Sequence, residues 1–258
     1  MGVVLRAERL TKTFKLSKKQ QNLEHTAETM RTAANNLSFD VGKGEVFGLL
    51  GPNGAGKTTT LRMLSTLIKP DSGDATVEGH SIVREPEQVR AAIGFLTSEL
   101  RLEDFFTPDY LFGFFSQLRG IDAATTERRK RELFERFGIS EFAGVKVGSL
   151  STGMKQKASL VISIVHDPGI IIFDEPTNGL DVITARVVTD YLKELRDSGK
   201  TIILSTHIFS LVEKLCDRVG IIIEGRMTAC DTLDAITRDA SLEDRFFELF
   251  VEAGGEVA

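Results

Sequence analysis

Gly51-Pro52-Asn53-Gly54-Ala55-Gly56-Lys57-Thr58 stands between the apolar run Val46–Leu50 and the helically patterned stretch Thr59-Thr60-Leu61-Arg62-Met63-Leu64. A strand, a glycine-rich turn and a helix in that order make a cradle for phosphate. The glycines let backbone N–H groups converge on an anion, and the helix aims the positive end of its dipole at the same point. Lys57 adds a full positive charge at the β- and γ-phosphates, and the Thr58 hydroxyl is placed to ligate Mg²⁺. Pattern, preceding strand and following helix agree, which sets this reading above that of a glycine turn without a ligand.

Working outward, residues 169–173, 201–204 and 219–223 are further short apolar runs without clean alternation. Strands of that kind are covered on both faces, so a parallel sheet flanked by helices is expected. Amphipathic segments 57–67, 182–196 and 208–216 supply the helices of βα units. Between residues 97 and 167 the texture turns helical, over 109–118, 126–137 and 152–165. The expected fold is therefore α/β, a mixed and largely parallel sheet with an inserted helical lobe. Residues 1–97 and 167–223 form the core, 98–166 the lobe and 224–258 a C-terminal extension whose segment 242–250 reads as an amphipathic helix on the core. The polar span 15–34 reads as an extended loop or short exposed helix, its lysines a solvated face.

At 258 residues the chain can bury one large domain or a domain with an inserted lobe. A net charge of -5 lacks the global basic excess of a nucleic-acid binder, so no nucleic-acid partner is expected. Cys216 and Cys230 have neither metal-like spacing nor a disulfide framework, and read as reduced thiols. No signal-like start is visible, and the longest apolar stretches end well short of the ~20 residues of a membrane-spanning helix.

Three further segments carry chemistry. The apolar run Ile170-Ile171-Ile172-Phe173 ends in Asp174-Glu175-Pro176, two acids at the carboxyl end of a buried strand, where open α/β sheets bind ligands. Their side chains diverge, so Asp174 can hold the Mg²⁺ shell while Glu175 acts as general base on an attacking water. Residues 201–206 lead to His207, at the same edge of the sheet and able to donate to a γ-phosphate oxygen. Leu150-Ser151-Thr152-Gly153-Met154-Lys155-Gln156 opens a helix that Ser151 or Thr152 can cap, leaving N–H groups for a second anion.

In this order the motifs resemble those of the ATP-binding subunits of ABC transporters, over nearly the whole chain. Walker A corresponds to residues 51–59, the signature to 150–156, Walker B to 170–175, the D-loop to 178–181 and the switch histidine to His207. The resemblance implies the ABC ATPase fold, a P-loop NTPase core, with ATP and Mg²⁺ as cofactors. It implies a head-to-tail dimer, here a homodimer because the catalytic residues are intact. ATP would lie between Gly51, Pro52, Asn53, Gly54, Ala55, Gly56, Lys57, Thr58 and Thr59 of one copy and Ser151 and Gly153 of the other. Asp174, Glu175 and His207 would act in cis, Asp181 would line the site, and an integral membrane permease subunit at the cytoplasmic face of the membrane would be driven by the cycle.

Three departures from the family pattern stand out. Where a glutamine is usual, this chain has Ser98 followed by Glu99; Ser98 can reach through a water, or Glu99 can take the role. Thr152 replaces a glycine of the common signature, tolerable if its side chain points away from the phosphate. Phe14 stands where a tyrosine more often stacks on adenine, and keeps the ring. Residues 94–100, 106–112 and 205–211 are worded most like the ATPase subunits of bacterial sodium-extruding exporters, which implies sodium as the solute. The alternative is a soluble ABC-type ATPase that remodels a protein or nucleic-acid assembly; a P-loop kinase or GTPase ranks last, since signature and switch histidine are both present. Phe105, Phe106, Tyr110, Phe112, Phe114 and Phe115 read mostly as lobe core, with Phe105 or Phe106 the first candidates for docking a cytoplasmic helix of the membrane subunit.

Overall fold

The computed structural model describes residues 2–23, 26–97 and 102–255. Strands β1 (Val3–Lys15) and β2 (Met30–Gly42) form a long hairpin around the short helix α1 (Lys18–Leu23). β3 (Val46–Leu50) leads through the phosphate loop into α2 (Lys57–Leu64). β4 (Ser72–Val77), β5 (His80–Ser81), α3 (Pro86–Ala92) and β6 (Ile93–Thr97) follow. The lobe holds α4 (Pro108–Leu118), α5 (Ala123–Phe137) and α6 (Thr152–Ser163). The chain then returns through β7 (Ile170–Asp174), α7 (Val182–Asp197), β8 (Thr201–Thr206), α8 (Phe209–Leu215), β9 (Arg218–Ile223) and β10 (Arg226–Thr232), and ends in α9 (Leu233–Ile236) and α10 (Leu242–Glu252).

Two sheets result. A six-stranded sheet in the order β10-β9-β3-β8-β7-β6 is parallel except for β10, and a four-stranded antiparallel sheet runs β2-β1-β4-β5. The parallel strands are buried throughout, as their unbroken apolar runs require. One expectation is corrected here. The span 15–34 is not a loop beyond α1: residues 30–34 belong to β2, with Met30 opposite Lys15. Its strand end is exposed on both faces, so no hydrophobic alternation marks it in the sequence. The sheet also runs on past Ile223 into the segment 224–258, because Arg226–Thr232 pairs back on β9.

Each face of the six-stranded sheet has its own core. Ile170 and Ile172 join Phe47, Leu49, Leu61 and the antiparallel sheet, whereas Ile171 and Phe173 join Phe112, Phe134, Phe137 and Leu160 of the lobe. The lobe therefore shares a hydrophobic core with the sheet rather than standing apart. Phe112 is fully buried, edge-on to Phe134 at a centroid distance of 5.5 Å. Truncating it opens a cavity, so Phe112→Ala is expected to lower stability by about 3–5 kcal/mol, read from the urea midpoint at unchanged slope. A shift below about 1 kcal/mol would mean that the lobe collapses onto the space.

Candidate functional site

The phosphate loop is built by steric necessity before any ligand is considered. A Cβ on Gly56, whose φ is 103°, would lie 1.9 Å from the Ala33 carbonyl oxygen, and one on Gly51 would lie 2.3 Å from that of Ile222. The loop is thus pressed against β2 and β9, and only glycine permits the approach. No side chain caps α2 at Gly56, so the first N–H groups of the helix have no acceptor within it. Lys57 reaches back over the loop, its Nζ donating to the carbonyls of Gly51 (2.7 Å) and Pro52 (3.1 Å) and lying 3.7 Å from Glu175 Oε1. Burial pushes its pKa below the ordinary lysine value, with Glu175 and Asp174 opposing the shift.

Sheet register assembles the acids. Thr97, Asp174 and Ser205 are aligned across the carboxyl edge of β6, β7 and β8. Asp174 Oδ1 accepts from Thr58 Oγ1 (2.9 Å) and Ser205 Oγ (2.5 Å), and Thr97 Oγ1 lies 3.5 Å from Oδ2. The Thr58 hydroxyl and the Asp174 carboxylate are hard oxygen donors set side by side, the kind of pair that would hold Mg²⁺. Among the described residues no cluster of three or more His, Cys, Asp or Glu could hold a metal. A Mg²⁺ here would complete its shell from phosphate and water, as this ion commonly does.

Glu175 follows Asp174 with a left-handed backbone, φ 53°, its N–H donating to the Ser205 carbonyl at 3.1 Å. That turn brings Oε1 within 3.1 Å of His207 Nδ1, while Oε2 is buried and without a hydrogen-bond partner. An unpartnered buried carboxylate oxygen is costly, by about 1–3 kcal/mol or more, and marks where a donor belongs. The structure thus brings together Lys57, Thr58, Asp174, Glu175 and His207. Phe14 lies opposite Arg31 in the hairpin, and Arg31 Nη2 reaches the Gly54 carbonyl at 3.4 Å, which sets the half-exposed ring one side chain from the loop.

Other expected residues lie apart. Ser151 caps α6 by accepting from Met154 N–H at 3.3 Å, and among the described residues no hydrogen bond or ion pair joins Ser151 or Gly153 to residues 51–58. Asp181 caps α7, accepting from the N–H groups of Ile183 and Thr184 and from the Thr184 hydroxyl; those bonds, the Thr184 N–H first, hold its pKa below the usual carboxylate range. Ser98 and Glu99 lie outside the described residues. Sequence reasoning assigned no role to Ser205, Thr97 or Arg31. Only the hydroxyls at the end of β8 hinted at one, because which strand ends stand side by side is fixed by register.

A glycine loop feeding a helix beside two acids at the carboxyl edge of a parallel sheet, with a helical lobe inserted between the corresponding strands, defines an ABC-type ATPase cassette. The sequence profile described as ABC transporter matches residues 34–178. The chain belongs to this family, as an ATP-binding subunit that hydrolyses ATP to power transport. It is 38% identical over 213 residues to the ABC transporter ATP-binding protein NatA of Bacillus subtilis (strain 168), covering 82% of this chain and 87% of that protein. It is 38% identical over 202 residues to the linearmycin resistance ATP-binding protein LnrL of the same organism, covering 78% of this chain and spanning 65% of that protein's length. A solved ATP-binding subunit of an ABC transporter superposes with a TM-score of 0.82 at 29% identity, covering 95% of this chain and 99% of that one.

Proposed function

We propose that this chain binds Mg-ATP between two of its copies, hydrolyses it with Glu175 as general base, and drives export through a separate integral membrane subunit. The observation that carries the reading is the divided carboxylate of Glu175. Oε1 faces Lys57 and His207, while the buried Oε2 has no protein donor and would be the oxygen that accepts a proton from a water brought in with the nucleotide. In this reading Lys57 exchanges the carbonyls of Gly51 and Pro52 for phosphate oxygens, and the N–H groups of residues 54–59 close around the same oxygens. Thr58 and Asp174 hold Mg²⁺, which when bound neutralises charge on the β- and γ-phosphates. His207 keeps Nδ1 on Glu175 and, when protonated, donates from Nε2 to the γ-phosphate. Phe14 stacks on the adenine, and Asp181 shapes the rim through its cap of α7.

A second copy completes the site. A Cβ on Gly153 would meet nothing closer than Asp181 Oδ2 at 3.9 Å, so packing within the chain does not demand a glycine there. Beside it Val182 and Ile183 are 86% and 78% exposed, an apolar edge suited to a partner face. Ser151 and Gly153 would therefore meet the γ-phosphate held by the other copy. Thr152 instead lines a cleft of about 670 Å³ with Thr97, Phe105, Gln156 and Asp174.

No helix among the described residues is long and apolar enough to cross a membrane. In this reading the transport path lies in the separate membrane subunit, against which this chain would sit at the cytoplasmic face. Leu67, Phe95, Leu111 and Phe115 line a groove of about 430 Å³ between core and lobe, with Arg90 and Arg119 at its side. Next to it Phe105, Tyr110 and Phe114 are 61%, 50% and 46% exposed, whereas Phe106 packs on the core and Phe112 is buried. Phe105→Ala is expected to fold normally and to lose co-purification with the membrane subunit, with a weaker loss for Phe106→Ala; unchanged capture by both would exclude this docking face.

Sodium is the solute favoured by the wording of residues 94–100, 106–112 and 205–211. LnrL, at the same 38% identity, is named for linearmycin resistance, so an organic solute is the competing outcome. Reconstituting the subunit with its co-purified membrane partner and titrating sodium against organic solutes decides between them by which one stimulates ATPase activity. A chain that hydrolyses ATP but captures no membrane protein would instead support the soluble remodelling ATPase.

A further inference from the structure

His207 is only loosely held from its own side of the site: its ring is 41% exposed, with Glu175 Oε1 as its hydrogen-bond partner. Behind it the chain is firm, because Thr206 is fully buried and its Oγ1 accepts from the Ile208 N–H at 3.1 Å. Phe209 then opens α8, a seven-residue helix that no side chain caps at Ile208. A helix this short is not stable through its own hydrogen bonds, so packing decides where it begins. Leu211, Val212 and Leu215 bury its inner side.

Its first residue is held from elsewhere. The Phe209 ring meets Phe246 at 5.3 Å with a 64° interplanar angle, and Phe247 at 6.5 Å with 47°. Both partners lie on α10, which Ser241 caps and which Leu242 and Leu249 anchor in the core. Phe246 also meets Phe247 at 5.7 Å and stacks on Phe250 at 6.1 Å. A ring cluster from the C-terminal segment therefore bears on the residue two positions beyond the histidine.

We infer that Phe246 and Phe247 of the C-terminal helix are positioning residues for ATP hydrolysis: by holding Phe209 they fix where α8 starts, and so where His207 stands against Glu175. This rests on the role given to His207 above. The rings touch neither substrate nor reacting atoms, and they act through backbone placement, where a displacement of about 1 Å can cost about a hundredfold in rate.

The test uses the full chain carrying Phe209→Leu, Phe247→Ala or the ring-retaining Phe209→Tyr. Each is followed by kcat, KM for Mg-ATP, melting temperature and the proton NMR signals of its four histidines, with His207→Ala assigning the signal of interest. Phe209→Leu and Phe247→Ala are expected to lower kcat about five- to tenfold with KM within about twofold. They should move the His207 signal while those of His80 and His166 stay, and Phe209→Tyr should keep most of the activity. Folded variants with full kcat, or with a stationary His207 signal, overturn the inference. Should Phe209→Leu not fold, Phe247→Ala, whose ring is 41% exposed, carries the same comparison. Full turnover by His207→Ala would remove the histidine's role itself and the inference with it, a result separable from failure of the ring variants alone.

Discussion

Glu175→Gln protein is expected to bind Mg-ATP at least as tightly as the unmutated chain and to hydrolyse it about 10²–10⁴ times more slowly, the range ascribed to a positioned general base. The amide has the size of the carboxylate and can still meet His207 Nδ1 at the position of Oε1, so the left-handed turn at residue 175 and its bond to the Ser205 carbonyl should persist. It cannot take up a proton from water. Loss of the charge also removes one of the two acids beside Lys57, which leaves the loop more attractive to a triphosphate. Single-turnover hydrolysis together with light scattering in ATP reads both halves of the prediction. Slow hydrolysis should coincide with an accumulating dimer, and substantial turnover in this variant would move the base elsewhere.

Lys57→Ala separates binding from folding. A ligand at about a hundred times its Kd stabilises a protein by about 2.7 kcal/mol, equivalent to roughly 5–10 °C in Tm for a chain of this size. That ATP-dependent shift is expected to vanish in the variant, and a shift equal to that of the unmutated protein would refute the role of the lysine. The ligand-free Tm at neutral pH should not fall. Burial lowers the pKa of Lys57 in the fold below its unfolded value, so the charged side chain is a penalty to folding. That penalty is full at pH below the folded pKa and fades as pH rises from there toward the unfolded value.

Much of this architecture is written in short-range pattern. The parallel strands announce themselves as unbroken apolar runs because both their faces are dry, and the helices of the lobe as periodic stripes. The phosphate loop and the Asp174-Glu175 pair are contiguous in sequence, and so were legible. The antiparallel sheet was not, because β2 begins among polar, exposed residues and is fixed by pairing with a strand whose partners lie far away in sequence. The partners of Asp174 were hidden for the same reason: Thr97 and Ser205 lie 77 and 31 residues away, and meet it only through register. Nor does spacing show that Ser151 and Gly153 stand apart from residues 51–58 within one chain, since sequence order carries no distance.

Strand β7 answers to two masters. Alternate residues of it are locked into opposite cores, Ile170 and Ile172 on one side, Ile171 and Phe173 on the other. Sliding by one position would turn each set into the wrong core at once. The acids at its tip thus behave like a pawl fixed to a frame, and any stroke that nucleotide powers must come from bodies swinging about that frame, not from slippage within it.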